Sequence, residues 1–168
     1  MVENTFENKY LSPDAYSLVY SKTCRIPGGT RRHSQYEIFC HISGPLVFEV
    51  EGETYPLHPG DIMLFPPGVE HRAYGIPMPE ETPYEAALMK LKPELLSYIS
   101  CQFDDGKALS ECFVRRRTGY LLKLSKDQRR INYEMIHRLL QIQEFPKEYG
   151  HSINVLSMVF LYLVNLYN

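Results

Sequence analysis

The chain has 168 residues, enough for one domain, or one domain with an appendage, that buries a real hydrophobic core. Its net charge of -2 and isoelectric point near 6.3 create no basic field, which argues against a chain that grips nucleic acid by itself. The four cysteines lack C-x-x-C spacing and no signal peptide precedes them, so we expect reduced thiols in a cytoplasmic protein.

The first half of the chain is predicted to consist of short strands joined by turns. Ten of the 12 prolines and seven of the 10 glycines lie before residue 84. Turn signals occur at Gly44-Pro45 and at Glu51-Gly52, and the second predicts a hairpin. The predicted strands cover residues 15–20, 36–42, 46–50, 54–57, 62–65, 71–76 and 84–91. Many short strands at this spacing are typical of a barrel or sandwich.

The most informative segment is Gly60-Asp-Ile-Met-Leu-Phe-Pro-Pro-Gly68-Val-Glu-His71. Residues 62–65 are apolar enough to form a buried strand, and a Pro-Gly pair closes the tight turn that follows. His71 then begins the next strand, so the turn fixes the position of its imidazole. The pattern G-x5-P-x-G-x2-H is similar to the second sequence motif of the cupin barrels.

The first cupin motif, H-x-H-x3-E-x6-G, is present with one change. Counting back from Gly44 gives Arg31-x-His33-x3-Glu37-x6-Gly44. Alternate residues of a barrel strand point inward, so Arg31, His33 and Glu37 share a face, which Phe39 continues. In metal-bearing cupins this glutamate and three histidines bind the ion, but here an arginine, which cannot ligate, holds one of the positions.

Three interpretations of this inward face remain open. In the first, a pocket without metal uses Arg31 and Glu37 to hydrogen-bond a polar ligand. In the second, His33, Glu37 and His71 form a two-histidine, one-carboxylate metal site. In the third, Arg31 and Glu37 form a pair that satisfies both groups and binds nothing.

The pattern changes to helical periodicity after about residue 93. Pro93-Glu94 opens a short helix, and residues 120–124 are predicted as one more strand. Ser125-Lys-Asp-Gln128 has the form of a capping box and begins a longer helix, in which one apolar stripe contains Ile131, Met135, Leu139 and Ile142. The basic clusters at 115–117 and 129–130 lack interleaved aromatic residues, so we expect a solvated surface there.

A last helix is predicted from about residue 152 to the end, and it carries two apolar stripes. Two stripes suggest two partners, the barrel and a second subunit, although a fully buried terminal helix is the alternative. The apolar segment is too short for a membrane span, and the polar residues that interrupt it make it too polar as well. The stripes contain Ile153, Leu156, Phe160 and Leu163 on one side, and Val155, Val159, Tyr162 and Leu166 on the other.

The order of these parts resembles the N-terminal domain of AraC-type transcription regulators. The likeness covers roughly residues 24–168: both cupin motifs, the run from Tyr84 into a short helix, and two closing helices. It implies a small-molecule sensor, often for sugars, whose effector lies inside the barrel. It also implies a homodimer that contacts DNA through a pair of helix-turn-helix motifs. In arabinose-sensing relatives a basic residue, a histidine and an aromatic line the pocket, which correspond to Arg31, His71 and Tyr84.

We therefore expect a mainly β protein with C-terminal helices: a cupin-like barrel at 1–110 and a helical dimerisation segment at 111–168. The DNA-binding domain is missing from this sequence, which we interpret as a fragment. The expected function is effector binding without enzymatic activity, cofactor or membrane partner. The expected ligand residues are Arg31, His33, Glu37, Phe39, His71 and Tyr84, and the expected dimerisation residues are Leu156, Phe160 and Leu163.

Two other functions remain open. One is a small metal-dependent cupin enzyme, such as a sugar isomerase or a dioxygenase, that uses His33, Glu37 and His71. The other is a barrel that has lost its ligand and acts only in dimerisation.

Overall fold

The structure is a computed structural model that describes residues 15–23, 28–74, 83–102, 106–114, 120–144 and 151–167. The strands come first and the helices follow, as the proline and glycine distribution predicts, with one short strand between the helices. The strands in this part of the chain are β1 (Tyr16–Thr23), β2 (Tyr36–Ser43), β3 (Leu46–Val50), β4 (Glu53–Leu57), β5 (Ile62–Phe65), β6 (His71–Tyr74), β7 (Tyr84–Leu91) and β8 (Leu121–Leu122). The helices are α1 (Pro93–Gln102), α2 (Gly106–Val114), α3 (Lys126–Glu144) and α4 (His151–Tyr167).

The strands form two antiparallel sheets that face each other. The larger sheet has the order β1-β7-β2-β5-β8, and the smaller has the order β4-β3-β6. The predicted hairpin at Glu51-Gly52 joins β3 to β4, and both turn residues have positive φ, 50° and 86°. Positive φ at both central residues is the conformation that matches the twist of paired strands. The predicted arrangement of short strands into a barrel or sandwich is confirmed.

Strand alternation divides the larger sheet into two apolar faces. Phe39, Met63 and Phe65 point between the two sheets and form one core cluster with residues of β3. Their neighbours Ile38 and Leu64 point the other way, into a second cluster that the helices cover. Strand β2 therefore has one face in the barrel interior and the other against the helices.

Helix α3 begins as the sequence predicts. The backbone N–H of Ser125 donates to Oε1 of Gln128 at 2.9 Å, and the N–H of Gln128 donates to Oγ of Ser125 at 3.3 Å. These reciprocal bonds are those of a capping box. Of the predicted stripe, Met135 and Leu139 are buried, and the partly buried Ile131 and Ile142 pack against the same core.

Helix α2 is absent from the sequence-based prediction, and it lies across the predicted boundary between the barrel and the helical segment. Gly106 opens this helix against α1, where a Cβ would overlap the backbone of Ile99, so only glycine allows the close approach. The boundary between residues 110 and 111 falls inside α2. Strand β8 then returns to pair with β5, and the core contains residues from both sides of the boundary.

The predicted dimerisation residues of α4 need a correction. Leu156 and Leu163 are buried in the core of the same chain, with exposed fractions of 8% and 2%, because α4 packs on α3 and on the outer face of the larger sheet. Only Phe160 of the three is partly accessible. The exposed apolar residues of α4 are instead Ile153, Leu161 and Val164. No helix in the described ranges is long and apolar enough to cross a membrane.

Candidate functional site

The two sequence motifs meet at one end of the barrel interior. The backbones of Arg31 and His71 form a bridge, in which the Arg31 N–H donates to the His71 carbonyl at 2.8 Å and the His71 N–H donates back at 3.0 Å. The N–H of Gly68 in the Pro-Gly turn also donates to the carbonyl of His33 at 2.8 Å. These bonds fix the first motif against the second, and they place both histidines beside Glu37 of β2.

Glu37 stands between the two histidines. Its Oε2 lies 3.3 Å from Nε2 of His33, and its Oε1 lies 3.5 Å from Nε2 of His71. One ligand atom from each of the three residues lies within 4.8 Å of the other two. Glu37 and His71 are each 3% exposed, and His33 is half-buried.

The ring of His71 is held in one orientation. Its Nδ1 lies 3.1 Å from the carbonyl oxygen of Val69, which only accepts, so Nδ1 carries a proton. Phe65 stacks on the ring at a centroid distance of 4.1 Å and an interplanar angle of 9°. Nε2 is therefore the nitrogen that faces Glu37. Because its lone pair and the carboxylate are both electron-rich, a proton or a cation has to lie between them.

Lys90 also belongs to this site, and the sequence analysis did not identify it. Its Nζ lies 3.6 Å from Oε2 of Glu37, because Lys90 on β7 pairs in register with Glu37 on β2. A signal was present in the sequence: Lys90 shares the parity of Tyr84, Ala86 and Leu88, which face the barrel interior. A single lysine in an apolar strand is easily assigned to the surface instead.

These neighbours determine the charges of the site. Burial alone would raise the pKa of Glu37, but the facing His71 imidazole, Lys90 and His33 favour the ionised carboxylate and hold this pKa below its ordinary value of 4.5. Burial lowers the pKa of His33 below 6.5, and Glu37 offsets only part of this effect. At neutral pH the site therefore contains an ionised Glu37 beside a neutral His33.

A cavity of about 160 Å³ opens from this polar end into the barrel. Five of the six predicted ligand residues line it: Arg31, Glu37, Phe39, His71 and Tyr84. The sixth, His33, contacts Glu37 without being part of the lining. Arg31 is exposed to solvent and forms no ion pair within the described ranges, so the third of the open interpretations, an Arg31–Glu37 pair, does not hold: Lys90 and the histidines face Glu37 instead.

The donor set of this site fits a divalent transition metal. Nε2 of His33, Oε2 of Glu37 and Nε2 of His71 are buried and lack a hydrogen-bond partner of standard geometry among the described residues. Two imidazole nitrogens and a carboxylate oxygen suit such ions, and the bond from Nδ1 of His71 to a carbonyl is typical of a ligating histidine. However, the Lys90 ammonium lies beside the same carboxylate oxygen, so Glu37 is also neutralised without a metal.

Comparison with known families supports the assignment of the barrel. Residues 24–76, which include both motifs, match the Cupin domain family. A search of curated proteins found no match to this chain. The family match and the two-sheet architecture together confirm the predicted cupin fold followed by C-terminal helices.

Similar solved structures include some that match the barrel and others that match more of the chain. A Cupin 2 conserved barrel domain protein from Salinispora arenicola is 17% identical, over 53% of this chain and 73% of its own, with a TM-score of 0.40. A putative mannose-6-phosphate isomerase from Ralstonia eutropha is 19% identical, over 47% of this chain and 76% of its own, with a TM-score of 0.38. ToxT from Vibrio cholerae is 8% identical, over 90% of this chain and 56% of its own, with a TM-score of 0.52.

Proposed function

We propose that this chain, a cupin domain with C-terminal helices, is the effector-binding and dimerisation part of a cytoplasmic AraC-type transcription regulator and not an enzyme. The observation that carries the proposal is a cavity with a polar end inside the barrel, lined by a strand whose opposite face packs on the helices. The similarity to ToxT covers 90% of this chain, so it includes the helices as well as the barrel. The resemblance to AraC-type regulators also depends on a barrel followed by helices. DNA would be bound by a helix-turn-helix domain outside these 168 residues.

A direct contact connects the cavity wall to the helices. Phe39 of β2 lines the cavity, and the next residue, Cys40, points to the other face, where its Sγ lies 3.0 Å from Oη of Tyr162 in α4. Burial raises the pKa of Cys40 to about 12 and that of Tyr162 well above 10, so a neutral thiol and a neutral phenol share this hydrogen bond. A ligand that displaces β2 would therefore act on the position of α4, as a two-state sensor requires.

The proposed dimer uses the exposed face of α4. Ile153, Leu161 and Val164 are 71%, 52% and 39% exposed, although all three are large and apolar. Phe160 lies next to them and is partly accessible. An apolar helix face of this kind loses its contact with water when a second copy of the chain covers it.

Ligand-dependent stabilisation of the purified chain tests the proposed sensor function. A ligand that binds only the native state stabilises it by about 2.7 kcal/mol at a concentration 100 times its Kd, which thermal unfolding detects. We expect at least one member of a panel of sugars and small metabolites to raise the melting temperature. Reading the coding sequence beyond Asn168 tests the regulator itself, and a stop codon at that point would contradict the proposal.

A second candidate function is a metal-dependent cupin enzyme, and the unsatisfied ligand atoms of His33, Glu37 and His71 favour it. These three residues would hold a divalent ion, which supplies a Lewis acid with open coordination positions when bound. Phe65 and the Val69 carbonyl would orient the His71 ligand, and Lys90 would stabilise negative charge beside the ion.

Metal analysis separates the two functions. If the chain is a sensor, we expect the purified protein to contain less than stoichiometric iron, manganese or zinc. Stoichiometric metal that is lost in the His71→Ala variant, but retained in the matched surface variant His137→Ala on α3, would favour the enzyme and overturn our preference.

A further inference from the structure

We propose that the barrel cavity binds a small organic anion with an apolar body, such as a short aliphatic or aromatic carboxylate, rather than a carbohydrate. This inference rests on the proposed sensor function, because it names the class of effector for the same cavity. Three properties of the cavity carry it: the composition of its wall, the uncompensated charge at its opening, and its volume.

The wall of the cavity beyond the polar end is mostly apolar. A carbohydrate has hydroxyl groups around its whole ring, and each hydroxyl buried without a hydrogen bond costs free energy. On this wall, only the Ser21 hydroxyl and the Tyr84 phenol supplement the polar end as hydrogen-bonding side chains. The apolar lining residues are Val19, Phe39, Phe48, Ala73, Ala86 and Leu88. This composition matches a ligand with one polar end and one apolar end.

The charge at the opening of the cavity is positive. Lys90 neutralises Glu37, which leaves Arg31 as a lining cation without an acidic partner in the described part of the chain. The neighbouring Arg32 is different, because its guanidinium pairs with Glu70 at 3.2 Å on the surface. The backbone bridge to His71 fixes the position of Arg31. A guanidinium whose donors are unused is suited to bind a carboxylate through two parallel hydrogen bonds.

The volume limits the size of the ligand. The cavity measures about 160 Å³, which is below the range of roughly 300–1,000 Å³ of sites for drug-sized molecules. A long fatty chain or a disaccharide is too large for this space. A carboxylate attached to a ring or to a chain of a few carbons can place its charge at Arg31 and its body against Phe39 and Phe48.

The test measures binding of defined probes to the full 168-residue chain by isothermal titration calorimetry. The probes are hexanoate and benzoate, and the neutral controls of equal shape are hexanamide and benzamide. L-Arabinose and D-glucose form the carbohydrate arm. We expect at least one carboxylate to bind at least tenfold more tightly than its amide and than either sugar. We also expect Arg31→Gln to weaken this binding at least tenfold, and Arg32→Gln to change it less than twofold.

The other outcomes overturn the inference in distinguishable ways. If a sugar binds and the carboxylates do not, the class of ligand is wrong and the sensor function stands. If carboxylate and amide bind equally, or if Arg31→Gln and Arg32→Gln have the same effect, the role of the charge is wrong. If no probe binds, the inference fails, and stoichiometric metal in the same sample would show that the sensor function fails with it.

Discussion

Glu37 has an almost closed environment, and Lys90 supplies the permanent positive charge beside it. The Lys90 ammonium is 3.6 Å from Oε2, and the Glu37 side chain is only 4% exposed. An ionised carboxylate that loses its cationic partner while it remains buried is strongly destabilised. The stability of the barrel at neutral pH therefore depends on Lys90 as well as on the motif residues.

We expect Lys90→Met to lower the free energy of unfolding by about 2 kcal/mol at pH 7, the scale of leaving a buried polar group without a compensating partner. The matched control is Lys22→Met, which removes an exposed ion pair with Glu85 and should change stability far less, because water screens the pair. Because the pKa of Glu37 is lowered in the native protein, its ionisation stabilises the fold above pH 4.5, and this contribution disappears as pH falls through the lowered pKa. The difference in free energy of unfolding between wild type and Lys90→Met should therefore become smaller in acid. Urea unfolding at several pH values measures this difference.

His41 is a second buried histidine and lies outside the ligand site. It is 1% exposed, and neither ring nitrogen has a hydrogen-bond partner of standard geometry within the described ranges. Burial lowers its pKa below 6.5, and the backbone of Gly44 and the carboxylate of Asp61 offset this only in part, while His58 lowers the pKa further. The unfolded chain thus binds a proton at a higher pH than the native protein does.

This difference predicts that stability falls as pH drops below about 6.5, because protons then bind the unfolded state in preference to the native state. We expect the His41→Leu variant to lose part of this dependence between pH 7 and pH 5. The exposed His137→Gln variant on α3 should retain the dependence in full. Melting temperatures measured in that interval would decide the matter, and parallel curves for wild type and His41→Leu would rule out a role for His41.

At the level of elements, Arg129 of α3 holds the turn between β4 and β5. Its Nε donates to the carbonyl of Leu124 at 3.0 Å, its Nη1 donates to that of Pro59 at 2.9 Å, and its Nη2 lies 3.7 Å from the buried Asp61 carboxylate. Gly60 has a φ of 88°, and a Cβ there would lie 2.6 Å from the Arg129 side chain. Arg129 is therefore solvated on one side, with a side chain that is 40% exposed, while its donors hold the turn. Residues 115–117 lie outside the described residues.

We expect Arg129→Ala to destabilise the protein by about 2 kcal/mol, because it removes two hydrogen bonds and the cation nearest to Asp61. Its neighbour Arg130 pairs with Glu134 on the surface, where both side chains are more than half exposed. Arg130→Ala should therefore cost less than about 0.5 kcal/mol. Chemical unfolding of both variants compares them directly, and equal losses would show that Arg129 does not hold the turn.

Local chemistry explains which elements could be predicted. The turn at Glu51-Gly52, the capping box at Ser125 and the Pro-Gly turn before His71 are determined by residues close in sequence, and the structure has all three. Helix α2 depends on the close approach of Gly106 to α1, a contact between elements that local patterns do not encode. Lys90 is part of the site because β7 pairs with β2, and this register is also set by the whole sheet.

The same limit explains the incorrect dimerisation residues. A helical stripe shows which residues share a face, but it does not show what covers that face. Leu156 and Leu163 follow the same period as Phe160, yet α4 turns both of them into the core of its own chain. Ile153, Leu161 and Val164 are exposed because of the way α4 packs in the folded chain, and the helical period does not show this packing.

At the level of the whole molecule, one strand connects the candidate site to the surface that would contact a partner. Strand β2 contributes Glu37 and Phe39 to the cavity and Cys40 to the helix-facing core. Tyr162, which contacts Cys40, is the neighbour in sequence of the exposed Leu161 on α4. A change in the position of β2 therefore has a short path to the apolar face of α4, which gives the proposed sensor a physical route from effector to dimer.

We expect Leu161→Glu to weaken self-association of the chain while it leaves the fold intact, because a charge on an exposed apolar face opposes burial by a second copy. Leu163→Glu should instead unfold the chain, since it places the same charge in a site that is only 2% exposed. Ser97→Glu, on the exposed side of α1, adds an equal charge elsewhere and should change neither property. Sedimentation velocity measures the association and circular dichroism measures the folding. If Leu161→Glu and wild type sediment identically as dimers, a second copy does not bind through this face of α4.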